Sequence, residues 1–69
     1  MPHIAITMFP GRDDETKKAL AVKVQRLICD ELKIEEKVVS VSVQDVPKED
    51  WKQSMEQIPP ESMFIKSGI

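Results

Sequence analysis

The sequence predicts a small α+β fold in which one long helix joins two parallel strands, a βαβ unit. Three observations support this: an alternating segment near the amino end, a long amphipathic segment, and a second alternating segment rich in valine. Two strands separated by a helix of about twenty residues pair in parallel through a right-handed crossover. With 69 residues the chain has room for one domain, residues 1–69.

The first strand is predicted from His3 to Phe9, where side chains alternate between two faces. One face carries Ile4, Ile6 and Met8, and the other carries His3, Ala5, Thr7 and Phe9. Pro10 and Gly11 follow and end the strand.

The helix is predicted to begin near Asp13 and to continue to about Lys33. Asp13 is an N-cap candidate, and the acidic residues after it suit the positive end of the helix dipole. Apolar residues at helical spacing predict one buried stripe formed by Leu20, Val24, Leu27, Ile28 and Leu32. Cys29 lies off this stripe, which favours packing or exposure over reactivity.

The second strand is predicted from Val38 to Val46, with valines on one face and Ser40, Ser42 and Gln44 on the other. Pro47 at a first helical position predicts a short second helix. Its apolar positions are Trp51, Met55 and Ile58, and Pro59–Pro60 ends it. The tail from Glu61 to Ile69 shows no clear period and receives no assignment.

The size of the chain predicts oligomerisation. A domain this short buries only about 60% of its unfolded surface and usually needs disulfides, a metal or a partner. One cysteine and one histidine supply neither an internal disulfide nor a tetrahedral zinc site. A two-stranded sheet is also marginal alone, so a second copy of the chain is the expected partner.

Charge and hydropathy exclude several classes of function. Ten basic and twelve acidic residues give a net charge of -2, which argues against nucleic-acid binding. No apolar run approaches the roughly 20 residues of a membrane span, and no signal segment opens the chain. We therefore expect a cytoplasmic protein without a membrane or nucleic-acid partner, and lone Cys29 fits a reducing compartment.

The residue with unusual chemistry is Pro2, directly after the initiator methionine. Aminopeptidase removes methionine before small residues, and this would leave Pro2 with a secondary amine at the chain end. An α-amino group has a pKa of about 7.7–8.0, and apolar surroundings or a nearby arginine would lower it towards neutrality. Such an amine can act as a general base. The sequence pattern alone favours the simpler interpretation, in which Pro2 is only the residue that follows methionine.

The opening segment MPHIAITMFPGRDDETKKAL resembles the amino terminus of the 4-oxalocrotonate tautomerase family. Shared features are the proline after methionine, an alternating strand, and Gly-Arg before the acidic start of a helix. The likeness runs without a gap from Pro2 to Trp51. It implies that two βαβ units form a dimer with a four-stranded sheet, and that Pro2 lies at the base of an apolar pocket.

The resemblance implies a role for four residues. Pro2 matches the proline that shuttles protons, and Arg12 matches an arginine that binds a substrate carboxylate. Trp51 matches an aromatic residue of the pocket wall, usually phenylalanine. Ser40 stands where the best-known member has a second arginine, which argues against diacid substrates. Without the family, Arg12 would be a solvated loop charge balanced by neighbouring acids, and His3 beside Pro2 would be structural or exposed.

The segments PHI, PKEDW and IKSGI resemble a dimeric bacterial subgroup that handles monoacid enols such as phenylenolpyruvate. The resemblance thus implies a tautomerase that needs no cofactor and no metal. A dimer is expected in preference to a hexamer. The alternative is a non-catalytic oligomeric binding module on the same fold, in which Met1 is retained and the Pro2 nitrogen stays an amide.

Overall fold

The computed structural model describes residues 1–69 and has the predicted βαβ arrangement. Strand β1 spans His3–Met8, helix α1 spans Asp14–Leu32, strand β2 spans Ser40–Asp45, and helix α2 spans Trp51–Glu56. Single turns of 3-10 helix lie at Glu36–Val38, Lys48–Asp50 and Pro60–Ser62. The predicted fold class is confirmed.

The two strands form a parallel sheet in which His3 lies beside Ser40 and Met8 lies beside Asp45. This register places the apolar residues Ile4, Ile6, Val41 and Val43 on the face that packs against α1. The opposite face is called the open face here, and it carries His3, Ala5, Thr7, Ser40, Ser42 and Gln44. The alternation predicted for both strands is therefore confirmed.

Both predicted strands were too long. β1 ends at Met8, whose carbonyl accepts a hydrogen bond from the Val46 amide at 2.8 Å. Phe9 lies outside the sheet, because the proline after it cannot donate to a ladder. β2 begins at Ser40, because Val38 belongs to a 3-10 turn and donates its amide to the Glu35 carbonyl at 3.2 Å.

Both ends of α1 are capped. The Asp13 carboxylate accepts a hydrogen bond from the Thr16 amide at 2.9 Å, as expected for an N-cap. Hydrogen bonds from Thr16 lower the pKa of Asp13. At the other end, Lys33 adopts a left-handed conformation with φ of 56°, and the Ile34 amide donates to the Cys29 carbonyl at 3.1 Å. This Schellman-type closure turns the chain back towards β2.

The predicted buried stripe on α1 was partly wrong. Leu20, Val24 and Ile28 are half-buried against the sheet, but Leu27 and Leu32 are 58% and 56% exposed. The reason is geometric: two strands lie only about 5 Å apart and cover a narrow band of helix surface. Gln25 also faces the sheet side, where its side-chain amide donates to the Glu36 and Val39 carbonyls at 3.1 and 3.3 Å.

The chain by itself buries very little. Only Val39 and Val46, which flank β2, are buried, at 7% and 8% exposure. Large apolar side chains outside the sheet remain open to solvent, among them Phe64 and Ile65. Neither helix combines the length and the apolar composition that crossing a bilayer requires.

Candidate active site

The four residues predicted to form the site lie in two groups at opposite ends of β1, with Pro2 and Ser40 at one end and Arg12 and Trp51 at the other. Unpredicted residues lie beside them in both groups. Pro2, His3, Ser40 and Ser42 form the amino-end cluster. Phe9, Arg12 and Trp51 form the carboxyl-end cluster. Six residue-to-residue steps of extended chain lead from Pro2 to Met8, a span of about 20 Å at roughly 3.3 Å per step. One copy of the chain therefore does not bring Pro2 together with Arg12 and Trp51.

Pro2 is half-buried at the start of the sheet. Its carbonyl accepts a hydrogen bond from the Ser40 amide at 3.2 Å, which fixes it to the first residue of β2. Met1 is 98% exposed and packs against nothing. The position of Pro2 is thus set by the sheet and does not depend on Met1.

His3 lies on the open face between two serine hydroxyls. Its Nδ1 is 2.7 Å from the Ser40 hydroxyl, and its Nε2 is 2.9 Å from the Ser42 hydroxyl. The parallel register puts both serines on the strand beside His3 and on the same face. Sequence reasoning placed the three residues on one side of each strand but missed this contact, because strand alternation alone does not fix the register.

Phe9 and Trp51 make an aromatic pair at the other end of the sheet. Their ring centroids are 5.0 Å apart and their planes meet at 84°, an edge-to-face arrangement. The topology explains the contact: parallel strands end at the same edge, so the residue after β1 meets the helix that follows β2. Sequence reasoning missed this role of Phe9. The predicted parallel pairing of the strands already implied that Phe9 and the second helix lie at the same edge of the sheet.

Arg12 lies beside this aromatic pair and has no carboxylate partner. The ion pairs of the chain are Lys17 with Asp45 at 2.9 Å and Lys37 with Glu35 at 3.2 Å. Neither acid next to Arg12 pairs with it, because Asp13 is engaged as the cap of α1. The Arg12 guanidinium donates its only hydrogen bond to the Met8 sulfur, at 4.0 Å. It is therefore free to bind an anion in a bidentate manner.

A depression of about 610 Å³ opens at the carboxyl-end cluster. Its lining consists of Thr7, Met8, Phe9, Arg12, Trp51, Ser67 and Ile69. An unpaired cation beside aromatic walls suits a small ligand with a carboxylate at one end and an apolar body. The contribution of Ser67 and Ile69 was not predicted, because the tail has no periodicity that would place it.

Two other features of the chain could supply reactive or metal-binding groups: Cys29 and clusters of histidine, cysteine and acidic side chains. Cys29 is half-buried, and burial raises the pKa of its thiol, with Glu36 and Asp30 adding to the effect. Its thiol is therefore a poor nucleophile. No three histidine, cysteine or acidic side chains come together in a group that could hold a metal ion.

The fold and this edge of the sheet define a class of small βαβ protein in which an unpaired arginine lies beside an aromatic pair and a depression. Residues 2–58 match the family model described as "Tautomerase enzyme". The chain is 38% identical over 55 residues to a probable tautomerase of Xylella fastidiosa, covering 80% of this chain and 67% of the relative. It is 41% identical over 51 residues to a 2-hydroxymuconate tautomerase of Comamonas testosteroni, covering 74% and 81%.

A third relative is the Tautomerase PptA of Enterobacter sp., which is 43% identical over 53 residues and covers 75% of this chain and 70% of its own. The chain therefore belongs to the tautomerase family. The prediction that it is an enzyme of this type is confirmed.

Proposed function

We propose that this chain converts the enol form of 2-hydroxy-2-alkenoic acids with one carboxylate, such as phenylenolpyruvate, to the keto form. The observation that carries this proposal is the unpaired Arg12 beside the Phe9–Trp51 pair. The guanidinium binds the carboxylate, and the aromatic wall takes the apolar substituent. The substrate's own enol electrons form the new carbonyl, so the reaction needs no cofactor and no metal.

Pro2 is the proposed general base and acid. After removal of Met1, its neutral ring nitrogen takes the proton of the enol hydroxyl and returns a proton to carbon. Two observations support this role. The family match begins at Pro2, and the exposed Met1 contributes no packing that its removal would lose.

The preference for a monoacid rests on Ser40. One relative is named for 2-hydroxymuconate, a molecule with two carboxylates. In this chain Arg12 supplies one guanidinium for one carboxylate, and Ser40 supplies a short neutral hydroxyl where the resemblance implies a second arginine. An apolar wall formed by Trp51 also disfavours a second carboxylate, because that group would lose its water without a partner.

The two clusters require two copies of the chain to form one complete site. We propose a homodimer with a four-stranded sheet, in which Pro2 of one copy approaches Arg12 and Trp51 of the other. The span of about 20 Å along β1 supports this arrangement. The small core and the exposed Leu27 and Leu32 also favour a partner. The resemblance of the PHI, PKEDW and IKSGI segments to a dimeric subgroup favours a dimer over a hexamer.

Mixing two variants with strongly reduced activity tests the shared site. One variant keeps a residue in front of Pro2, and the other carries Arg12→Ala. After denaturation and refolding together, half of the dimers are hybrids with one complete site, so about a quarter of wild-type activity returns. Arg26→Ala, which changes the only other arginine, is the matched control for Arg12→Ala. Activity that does not return on mixing places both groups in one chain and refutes the shared site.

Two further measurements check the components of this proposal. Intact mass should show the chain without Met1, and sedimentation at micromolar concentration should show a dimer. Retention of Met1 in untagged protein would leave the Pro2 nitrogen an amide. It would then favour the alternative of a non-catalytic binding module on this fold.

A further inference from the structure

Arg12 lies in a connection whose own backbone does little to hold it in place. Residues 9–12, called the Arg12 loop here, lie between β1 and the N-cap of α1 and make no backbone–backbone hydrogen bond. Phe9 packs on Trp51, but Gly11 has a φ of 135°, and no atom beyond its chain neighbours lies within 4 Å of the space that a Cβ would occupy there. The position of the Arg12 guanidinium therefore depends on how the two ends of the loop are fixed.

One ion pair joins the two ends of the Arg12 loop. The Lys17 ammonium lies 2.9 Å from the Asp45 carboxylate. Asp45 is the last residue of β2 and lies beside Met8, the residue directly before the loop. Lys17 lies in the first turns of α1, where its amide donates to the carbonyl of Asp13, the residue directly after the loop, at 3.1 Å. The pair thus fixes the start of the helix to the end of the sheet.

This ion pair is shielded from solvent and directed across the fold. Its Lys17 and Asp45 side chains are 17% and 38% exposed, whereas those of the Lys37–Glu35 pair are 79% and 73% exposed. Charges with less water around them interact more strongly and are screened less. Asp13, four residues before Lys17, stands where a partner along the helix would lie, yet Lys17 pairs with the strand. The contact therefore connects two elements and does not serve α1 alone.

We propose that Lys17 and Asp45 are positioning residues, which hold Arg12 where it binds the substrate carboxylate. This rests on the proposed function, in which Arg12 is the carboxylate anchor. Neither residue of the pair lines the depression, whereas Met8, Phe9 and Arg12 do. The pair therefore acts on a ligand through the Arg12 loop and not by touching it. Breaking the pair from either side frees the start of α1 from the sheet and displaces the guanidinium.

The binding of 3-phenylpropanoate, a non-reacting aromatic monoacid, tests this inference. Trp51 is the only tryptophan and lines the depression, so a fluorescence titration gives Kd. Lys17→Met and Asp45→Asn should both raise Kd about three- to tenfold. A direct effect of charge would have opposite signs, because loss of a cation weakens the binding of an anion and loss of an anion strengthens it. Lys17→Arg, which keeps the pair, and Lys18→Met, which removes the exposed neighbouring cation, should stay within about twofold of wild type.

A double-mutant cycle separates positioning from a general loss of structure. In an Arg12→Ala background, Lys17→Met should change Kd less than about twofold, because a positioning residue acts through Arg12. The neutral analogue 3-phenylpropanamide should bind Lys17→Met as it binds wild type. Unchanged or opposite shifts in Lys17→Met and Asp45→Asn, a full effect in the Arg12→Ala background, or an equal loss of amide binding overturns the inference. Absence of enol turnover with the expected shifts intact overturns the proposed function alone.

Discussion

The two ends of β1 differ in what they can do chemically. The amino-end cluster holds Pro2 and a hydrogen-bonded histidine, but the depression of about 610 Å³ lies at the other end of the strand. The carboxyl-end cluster has that depression and an unpaired cation, yet no side chain that lines it is a base near neutral pH, since arginine stays protonated. One end carries the proposed base and the other carries the proposed binding groups. The comparison teaches that neither end is a complete site.

Blocking the amine of Pro2 should produce the largest effect. A chain that retains one residue before Pro2 has an amide at the proposed base and should lose about 10²- to 10⁴-fold in kcat with either enol. Dimerisation should be unchanged, because Met1 packs against nothing. Pro60→Ala serves as the proline control and should keep wild-type kcat. Full activity in the blocked chain would show that the Pro2 amine is not the catalytic base.

Removing the cation at the carboxyl end should have the next largest effect. Arg12→Ala loses a charge-assisted hydrogen bond of about 1.5–3 kcal/mol and should lower kcat/KM about ten- to a hundredfold for monoacid and diacid alike. Arg26→Ala should change neither value. Steady-state kinetics with both enols provides the measurement. Unchanged turnover in Arg12→Ala would contradict its assignment as the carboxylate anchor.

Adding a cation at the amino end should change substrate preference. Ser40→Arg supplies a guanidinium beside Pro2 and should raise kcat/KM for 2-hydroxymuconate about tenfold, with little gain for phenylenolpyruvate. Ser62→Arg adds the same charge in the 3-10 turn of the tail and should raise neither value of kcat/KM.

In wild type, the monoacid should be the better substrate by about ten- to a hundredfold in kcat/KM. A wild-type preference for the diacid would refute the role given to Ser40.

The aromatic pair should have a smaller effect, restricted to substrates with a ring. An edge-to-face pair contributes about 0.5–1.5 kcal/mol, so Phe9→Leu or Trp51→Leu should lower the preference for phenylenolpyruvate over an alkyl enol acid about two- to tenfold. Phe64→Leu changes an aromatic residue that is 93% exposed and should leave this preference unaltered. An equal loss with both substrates would indicate a structural role for the pair.

Replacing Asp13, the N-cap of α1, should have the smallest effect, and this effect should be on stability alone. Hydrogen bonds from Thr16 lower the pKa of Asp13 below its usual 3.8, so the folded state favours the ionised carboxylate. The stabilisation that the ionised Asp13 gives the folded state is present above pH 3.8 and is lost as the pH falls through the lowered pKa. The thermal midpoint at fixed protein concentration should therefore fall less between about pH 5 and 3 in Asp13→Asn than in wild type or Asp14→Asn. An equal fall in all three would exclude this contribution.

Local sequence patterns predicted the positions of the strands and helices better than they predicted the contacts between them. Alternation located both strands, the N-cap Asp13 located the start of α1, and the extent of its apolar stripe located its end near Lys33, because these patterns depend on nearby residues. Leu27 and Leu32 were misplaced, because burial of a helix stripe depends on the width of the sheet beneath it. The resemblance named Pro2, Arg12, Trp51 and Ser40 as site residues, but their division between two ends became visible only from the length and register of β1.

The separation along β1 also affects how the activity depends on the amount of protein. If each site takes groups from two chains, a dissociated chain contributes no turnover. Below the dissociation constant of the dimer, the rate then follows the square of the chain concentration, and a twofold dilution lowers it about fourfold. Expression level would therefore control flux more steeply than it does for a monomeric enzyme.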